Sequence, residues 1–187
     1  MKKNLALAIV LGLMLSACAS RIDTDAKSKY ETKSQIPLNV TAVLVRYDFN
    51  PTVKSDQSDY LFSRILVQGV EKWINARLRP AGQYGVAQIV VRDASVVGVA
   101  SNYQDPEKLE GRLDVIISLV DARGVVLAQG EAKVKQDITA PKNISETERK
   151  ELTQVLSIKL TDALDVQMED VILRMSSSLP LAPAYPK

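Results

Sequence analysis

The sequence predicts an α+β fold: a four-stranded, mostly antiparallel sheet with two helices on one face, in the order β-α-β-β-β-α. Three observations predict it. Two stretches, around Trp73 and around Leu160, space their apolar residues at three and four, the period of an amphipathic helix. Residues 109–119 alternate, with Leu109, Leu113, Val115, Ile117 and Leu119 facing one way and Glu110, Arg112, Asp114 and Ser118 the other. Asp121-Ala122-Arg123-Gly124 is a compact hairpin turn with glycine where a left-handed residue is wanted, so the strand before it and the strand after it run antiparallel.

In chain order, residues 2–17 have a basic end (Lys2, Lys3), an apolar core over residues 5–15, and Ser16 and Ala17 before Cys18. That is the anatomy of a secretory signal. Its eleven-residue core is well short of the roughly 20 residues a helix needs to cross a bilayer. Residues 19–37 are polar and mixed in charge, without a usable period, and are expected to form a flexible tether with a span of roughly 20 to 25 Å.

The first strand is expected over residues 38–47, with Leu38, Val40, Ala42 and Leu44 on one face and Val43 and Val45 among those on the other. A loop over 48–58 carries Asn50-Pro51. Leu66, Val70, Trp73, Ile74 and Leu78 then mark a helix over 63–79, with Ser63 a candidate cap and Pro80-Ala81-Gly82 its stop. Gly69 inside it is expected where the helix approaches the sheet closely, because glycine there otherwise costs about 1 kcal/mol relative to alanine.

Strands are expected over 86–99, 109–119 and 125–138, the first with a bulge near Asp93-Ala94 where its alternation slips. After Pro141, Ser145 and Glu148 form a candidate capping box. From Leu152 to Met175 one apolar stripe continues, giving a helix of some 30 residues, about 45 Å long. The domain thus spans 38–178, and residues 179–187 form a Pro-rich tail.

Leu15-Ser16-Ala17-Cys18 resembles the lipobox of bacterial lipoproteins. The resemblance implies cleavage of residues 1–17, a covalent diacylglycerol and an N-acyl chain on Cys18, and a mature chain that starts there. Three chains hold a protein stably where one would not. Ala19 stands where this family commonly carries an aspartate for inner-membrane retention, so the resemblance implies the periplasmic leaflet of the outer membrane. The element order resembles small envelope lipoproteins that partner larger machines, namely the plug of the lipopolysaccharide-insertion barrel and the auxiliary lipoproteins of lipid-transport ABC systems. Trp73, Arg77, Leu78, Gly82 and Arg92-Asp93-Ala94-Ser95-Val96 resemble an uncharacterised alphaproteobacterial lipoprotein family.

Composition narrows the function. Without Lys2 and Lys3, the 24 basic residues become 22 against 22 acidic ones, which argues against a nucleic-acid binder with a broad basic surface. The chain has no histidine and one cysteine, removing Ser-His-Asp and Cys-His catalysis, histidine metal sites and disulfides. Neither a GxGxxG nor a P-loop motif occurs, and no cofactor beyond the lipid on Cys18 is expected.

Tyr47, Phe49, Tyr60 and Phe62 place four of the nine aromatic residues around one loop, and with Tyr103 they are candidate partner contacts, the alternative being a plug at the open end of the core. Arg77, Arg79 and Arg92 are candidate anion contacts, although cations at a helix C-terminus also suit its dipole. Asp162, Asp165 and Glu169 share one side of the second helix, but no calcium-type loop accompanies them and no metal is expected. Asp93, in the suspected bulge beside Arg92, is read as a structural carboxylate.

The resulting expectation is a non-enzymatic, lipid-anchored accessory protein that meets another envelope protein. The alternative is a lipid or glycolipid carrier, and a histidine-free hydrolase with paired carboxylates is a minor third.

Overall fold

The computed structural model describes residues 27–49, 57–83, 85–99, 107–141 and 144–178. The segment around Cys18, the 179–187 tail and Tyr103 lie outside them. Six strands and two helices follow a short 3-10 turn at Lys29–Thr32: β1 (Ile36–Leu38), β2 (Ala42–Tyr47), α1 (Gln57–Arg77), β3 (Leu78–Pro80), β4 (Val86–Val99), β5 (Glu107–Val120), β6 (Val126–Ala140) and α2 (Glu146–Ser178). The main sheet has the order β2-β4-β5-β6, while β1 and β3 form a small parallel pair. The expected α+β class and mostly antiparallel sheet both hold.

The antiparallel part forms where alternation dictates it. Leu109, Leu113, Val115, Ile117 and Leu119 are all buried on the helix-covered face of β5. The expected bulge falls at Arg92, where the register against β5 shifts between Val91 and Asp93. Its effect is to turn Val91 and Ala94, three residues apart, into the same core. In the β5–β6 turn, Asp121 Oδ1 accepts from the backbone N–H groups of Arg123 (2.8 Å) and Val125 (2.9 Å), and Gly124 takes φ +84°. Those N–H groups, Val125's foremost, hold the Asp121 carboxyl below its ordinary value.

The strand expected over 38–47 divides in two. Leu38 and Val40 are both buried, and the chain bends between them before β2 joins β4. That pairing is parallel, Ala42 opposite Val86 through Tyr47 opposite Val91, so β2, α1 and β4 form a crossover unit. Helix α1 begins at Gln57, earlier than expected, which puts Ser63 inside it and buried rather than at a cap. It runs straight into β3, whose pairing with β1 replaces the expected stop at Pro80.

Both helices lie on one face over a core built from Leu66, Val70 and Trp73 of α1 and from Leu156, Leu160, Leu164 and Met168 of α2. The capping box at the start of α2 is formed: Ser145 N–H donates to Glu148 Oε2 at 2.7 Å, and Glu148 N–H donates to Ser145 Oγ at 3.2 Å. Gly69 does mark a close approach, but to the other helix and not to the sheet. A β-carbon there would meet the Ser157 hydroxyl. The glycines that bring a helix onto the sheet are Gly111, under Leu156 and Leu160, and Gly130, under Val171.

The tether expected over residues 19–37 does not extend through residues 28–37. From Ser28 onward the chain lies along the helices as a strap: Ser28 and Tyr30 are buried, and β1 is hydrogen-bonded to β3.

Candidate functional site

The acidic side of α2, three carboxylates at spacings of three and four, is where the strap is held. Lys29 N–H donates to Asp162 Oδ1 at 2.8 Å. Lys33 Nζ lies 2.7 Å from Asp165 Oδ2 and 3.2 Å from Glu169 Oε2. From α1, Arg77 Nε donates to Asp165 Oδ1 at 2.5 Å, Trp73 Nε1 donates to the same oxygen at 3.0 Å, and Arg77 Nη2 reaches Glu169 Oε2 at 3.2 Å. The three carboxylates considered for a cation are therefore occupied by the protein's own donors. Among the described residues, no group of histidine, cysteine or carboxylate side chains has an arrangement that would hold a metal.

Asp165 is 1% exposed, so its charge persists only because each oxygen is answered. Burial alone would raise its pKa, but hydrogen bonds from Lys33, Arg77 and Trp73, with the Arg77 charge, outweigh burial and hold the carboxyl below its ordinary value. The Asp165 hydrogen bond in turn raises the Lys33 ammonium. Tyr30 completes the strap. Its hydroxyl meets the Ser28 and Thr161 side chains, and burial pushes it up.

This arrangement corrects the anion-contact expectation for Arg77. The residue is 1% exposed and engaged by two carboxylates. Arg79 is exposed on β3. Arg92 lies on the far side of the sheet, 3.1 Å from Asp114 Oδ2 and 3.2 Å from Glu131 Oε1. The three arginines do not converge.

The sheet face away from the helices carries a lattice of opposite charges. Lys133 adds to the Arg92 cluster at 3.0 Å from Glu131 Oε1, and Glu110 accepts from Arg112 and Lys135, each at 2.6 Å. Acid and base alternate across strands, so the face is nearly neutral and open. Asp114 is its least settled member, because Oδ1 is buried without a hydrogen-bond partner. Burial, then the Glu131 charge, raises its pKa.

A raised carboxyl pKa in the folded state means that folding takes up a proton as pH falls. Its contribution to stability therefore declines as pH rises through and above the ordinary carboxyl value. Asp114→Asn is accordingly expected to raise the melting temperature at pH 7. It should also flatten the dependence of melting temperature on pH above the ordinary carboxyl value, measured by calorimetry across pH.

The aromatic expectation separates into parts. Phe62 is core. Tyr47 is 39% exposed at the end of β2, with its ring edge-on to half-buried Phe49 at 6.4 Å. The Tyr47 hydroxyl donates to Glu71 Oε1 of α1 at 2.5 Å, and burial followed by that bond raises its pKa. Tyr60 belongs to α1, but its side chain is outside the described residues. Asp93 is half-buried beside the bulge.

Among the described residues, three surface hollows bear on function. One of about 330 Å³, between the strap and the two helices, is lined by hydroxyl and amide groups of Ser28, Ser157, Thr161, Gln68 and Gln154 with Lys72. A second of about 480 Å³ runs between the start of β6 and the end of α2, over Leu127, Ala128, Gly130, Val171 and Met175. A third of about 490 Å³ lies beside the β5–β6 turn.

Sequence reasoning missed Lys33, Tyr30 and the role of Asp165. Tyr30, an aromatic residue in an otherwise polar stretch, was the available signal.

No protein-family model and no curated protein matches the chain. Among solved structures, it is similar to a minor lipoprotein from Acinetobacter baumannii, with 12% identity over 78% of this chain and 100% of that one, at a TM-score of 0.40. It is also similar to a protein of the DUF330 family model from Xanthomonas campestris, with 12% identity over 75% of this chain and 89% of that one, at a TM-score of 0.36. Neither score is high enough to establish a shared fold.

Proposed function

We propose that this chain is a lipid-anchored, non-enzymatic accessory protein of the Gram-negative envelope. Cys18 sits in the periplasmic leaflet of the outer membrane, and the folded body meets another envelope protein. The observation that carries the reading is the strap. Lys33, Tyr30 and β1 fix the chain that follows the lipobox-like stretch to the helix layer, which leaves the opposite sheet face, with its alternating charges, free.

Beyond Arg92, residues 93–99 of β4 have no strand partner on their β2 side among the described residues. Such an edge accepts an added strand, and Tyr47 with Phe49 lies beside it. Affinity purification from detergent-solubilised membranes tests this. A co-purifying envelope protein that is lost on charge reversal at Arg92 and Lys133 is expected, and reproducible recovery without any partner would overturn it.

A second reading, a lipid or glycolipid carrier, is favoured by the hollow over Leu127, Val171 and Met175, whose volume falls in the range of small-ligand sites. Native mass spectrometry decides it: retained lipid supports a carrier, and bare protein removes that reading.

A further inference from the structure

We infer that two copies of this chain pair edge to edge through β2, making one continuous eight-stranded sheet across a two-fold axis. The two outer strands of the main sheet differ in the way that matters for edge pairing. From Glu131 on, β6 presents Glu131, Lys133, Lys135 and Asp137, all charged and exposed, the usual protection of an edge against another strand, while the exposed Val126 and Leu127 stand at its start. Among the described residues, β2 has no such protection. Its sequence is Ala-Val-Leu-Val-Arg-Tyr, Leu44 is 51% exposed, and Val45 and Tyr47 are each 39% exposed. Its one charge, Arg46, is answered at 2.8 Å by Asp48 two residues on. A short edge with β-branched Val43 and Val45, exposed along most of its length and with its single charge paired, either aggregates or has a partner.

A second copy satisfies this edge with the fewest conditions. Strands related by a two-fold axis within one sheet run antiparallel, and the axis is perpendicular to the sheet. Residues opposite each other then share a face, so the register places Leu44 opposite its own mate, or Val45 opposite its own mate. In the first register Arg46 faces Ala42 of the second copy, and in the second it faces Leu44. Neither sets like charges opposite each other. The pairing is isologous and closed, and the charges along residues 131–137 of the β6 edges at its two ends discourage further growth into a filament.

The same axis fixes where the anchors lie. Each strap lies on its own helix layer, held there by Asp162 and Asp165. A two-fold axis perpendicular to the sheet keeps both helix layers on one side, so both chains leave toward the same bilayer. This last point rests on the anchored reading of Cys18, whereas the pairing itself does not. Confinement of two anchored copies to one surface raises their effective concentration, so a contact of six residues per chain suffices.

Disulfide trapping tests the pairing in isolated membranes. Directly opposite residues of an antiparallel pair have Cα atoms about 4.5 to 5.5 Å apart, within disulfide reach. Leu44→Cys or Val45→Cys is expected to give a covalent dimer under mild oxidation, while Lys150→Cys on exposed α2 and the wild type give none. Light scattering of the detergent-solubilised wild type should report two chains, and Leu44→Lys one chain with an unchanged melting temperature. A wild-type monomer with no disulfide at either position, or an adduct with a different protein at those positions, overturns the proposal. Intact-mass measurement of Cys18 on the same sample shows separately whether the anchor is present, so failure of the pairing and failure of the anchored reading are distinguishable.

Discussion

Asp165→Ala is expected to destabilise the fold by about 3 to 5 kcal/mol, because it leaves the buried Arg77 guanidinium without its principal counter-charge. For a domain of this size, that lowers the melting temperature by about 10 °C. Trp73 Nε1, fully buried, loses its acceptor as well. Lys33 keeps only Glu169, so the strap loosens together with the helix pair.

The loss should show in two observables with different origins. Denaturant unfolding reads the global cost. Proteolysis or amide exchange over residues 28–38 reads release of the strap, since the Lys29 backbone N–H and the Tyr30 and Lys33 side chains hold it to α2. Replacing both partners with apolar residues, Arg77→Met with Asp165→Leu, is expected to recover most of the global stability, because no buried charge is then left unpaired. A double variant as unstable as Asp165→Ala would show that the cost lies in packing and not in the orphaned guanidinium.

The pH dependence has the opposite sign to that of Asp114. Asp165 is held below its ordinary value in the folded state, so folding favours the ionised form. Its contribution is present above the unfolded carboxyl value and is lost as pH falls through the lowered one. Acid should thus weaken the strap clamp, and Asp165→Asn should remove that acid-sensitive component from the unfolding profile.

The parts of the fold legible in the sequence were those specified by neighbours along the chain. β5 was readable because one face is buried and the other charged, a period of two that nothing else produces. The capping box at Ser145 and Glu148 and the turn at Asp121 were readable because their partners are three or four residues apart. The strap was not. Lys29 reaches Asp162 across 133 residues, and Lys33 reaches Glu169 across 136. A polar, aperiodic segment gives no local sign that a distant carboxylate awaits it.

The same reason hid the division of the first strand. Residues 38–47 alternate plausibly throughout, and only the parallel pairings, β1 with β3 and β2 with β4, separate them. At the candidate site, the spacing of Asp162, Asp165 and Glu169 was visible, but its use was not. Carboxylates three and four apart look alike whether they face water, a cation or a lysine from the other end of the chain.

The docked strap bears on the lipidation proposed for Cys18. With Lys27 the first described residue, nine residue steps separate it from Cys18, so the chain can span at most about 30 Å between them. A coil of nine steps averages roughly 15 to 18 Å, less than the longer tether expected from composition. The anchor proposed at Cys18 would therefore hold the helix layer close to the bilayer, with the charged sheet face turned toward the compartment.

Intact mass of the membrane-extracted protein is expected to show a chain beginning at Cys18 with three acyl chains attached. Exchange of residues 1–18 for an ordinary cleavable secretion signal should move the protein from the membrane to the soluble periplasmic fraction. Its melting temperature should not change, because the strap contacts at Lys29, Tyr30 and Lys33 lie outside the exchanged segment. Retention at the membrane after the exchange would place the anchoring surface on the folded body, with the exposed Val125, Val126 and Leu127 beside the β5–β6 turn the first residues to substitute. Release, with the strap still protected from exchange, would show that the lipid localises a body whose fold is complete without it.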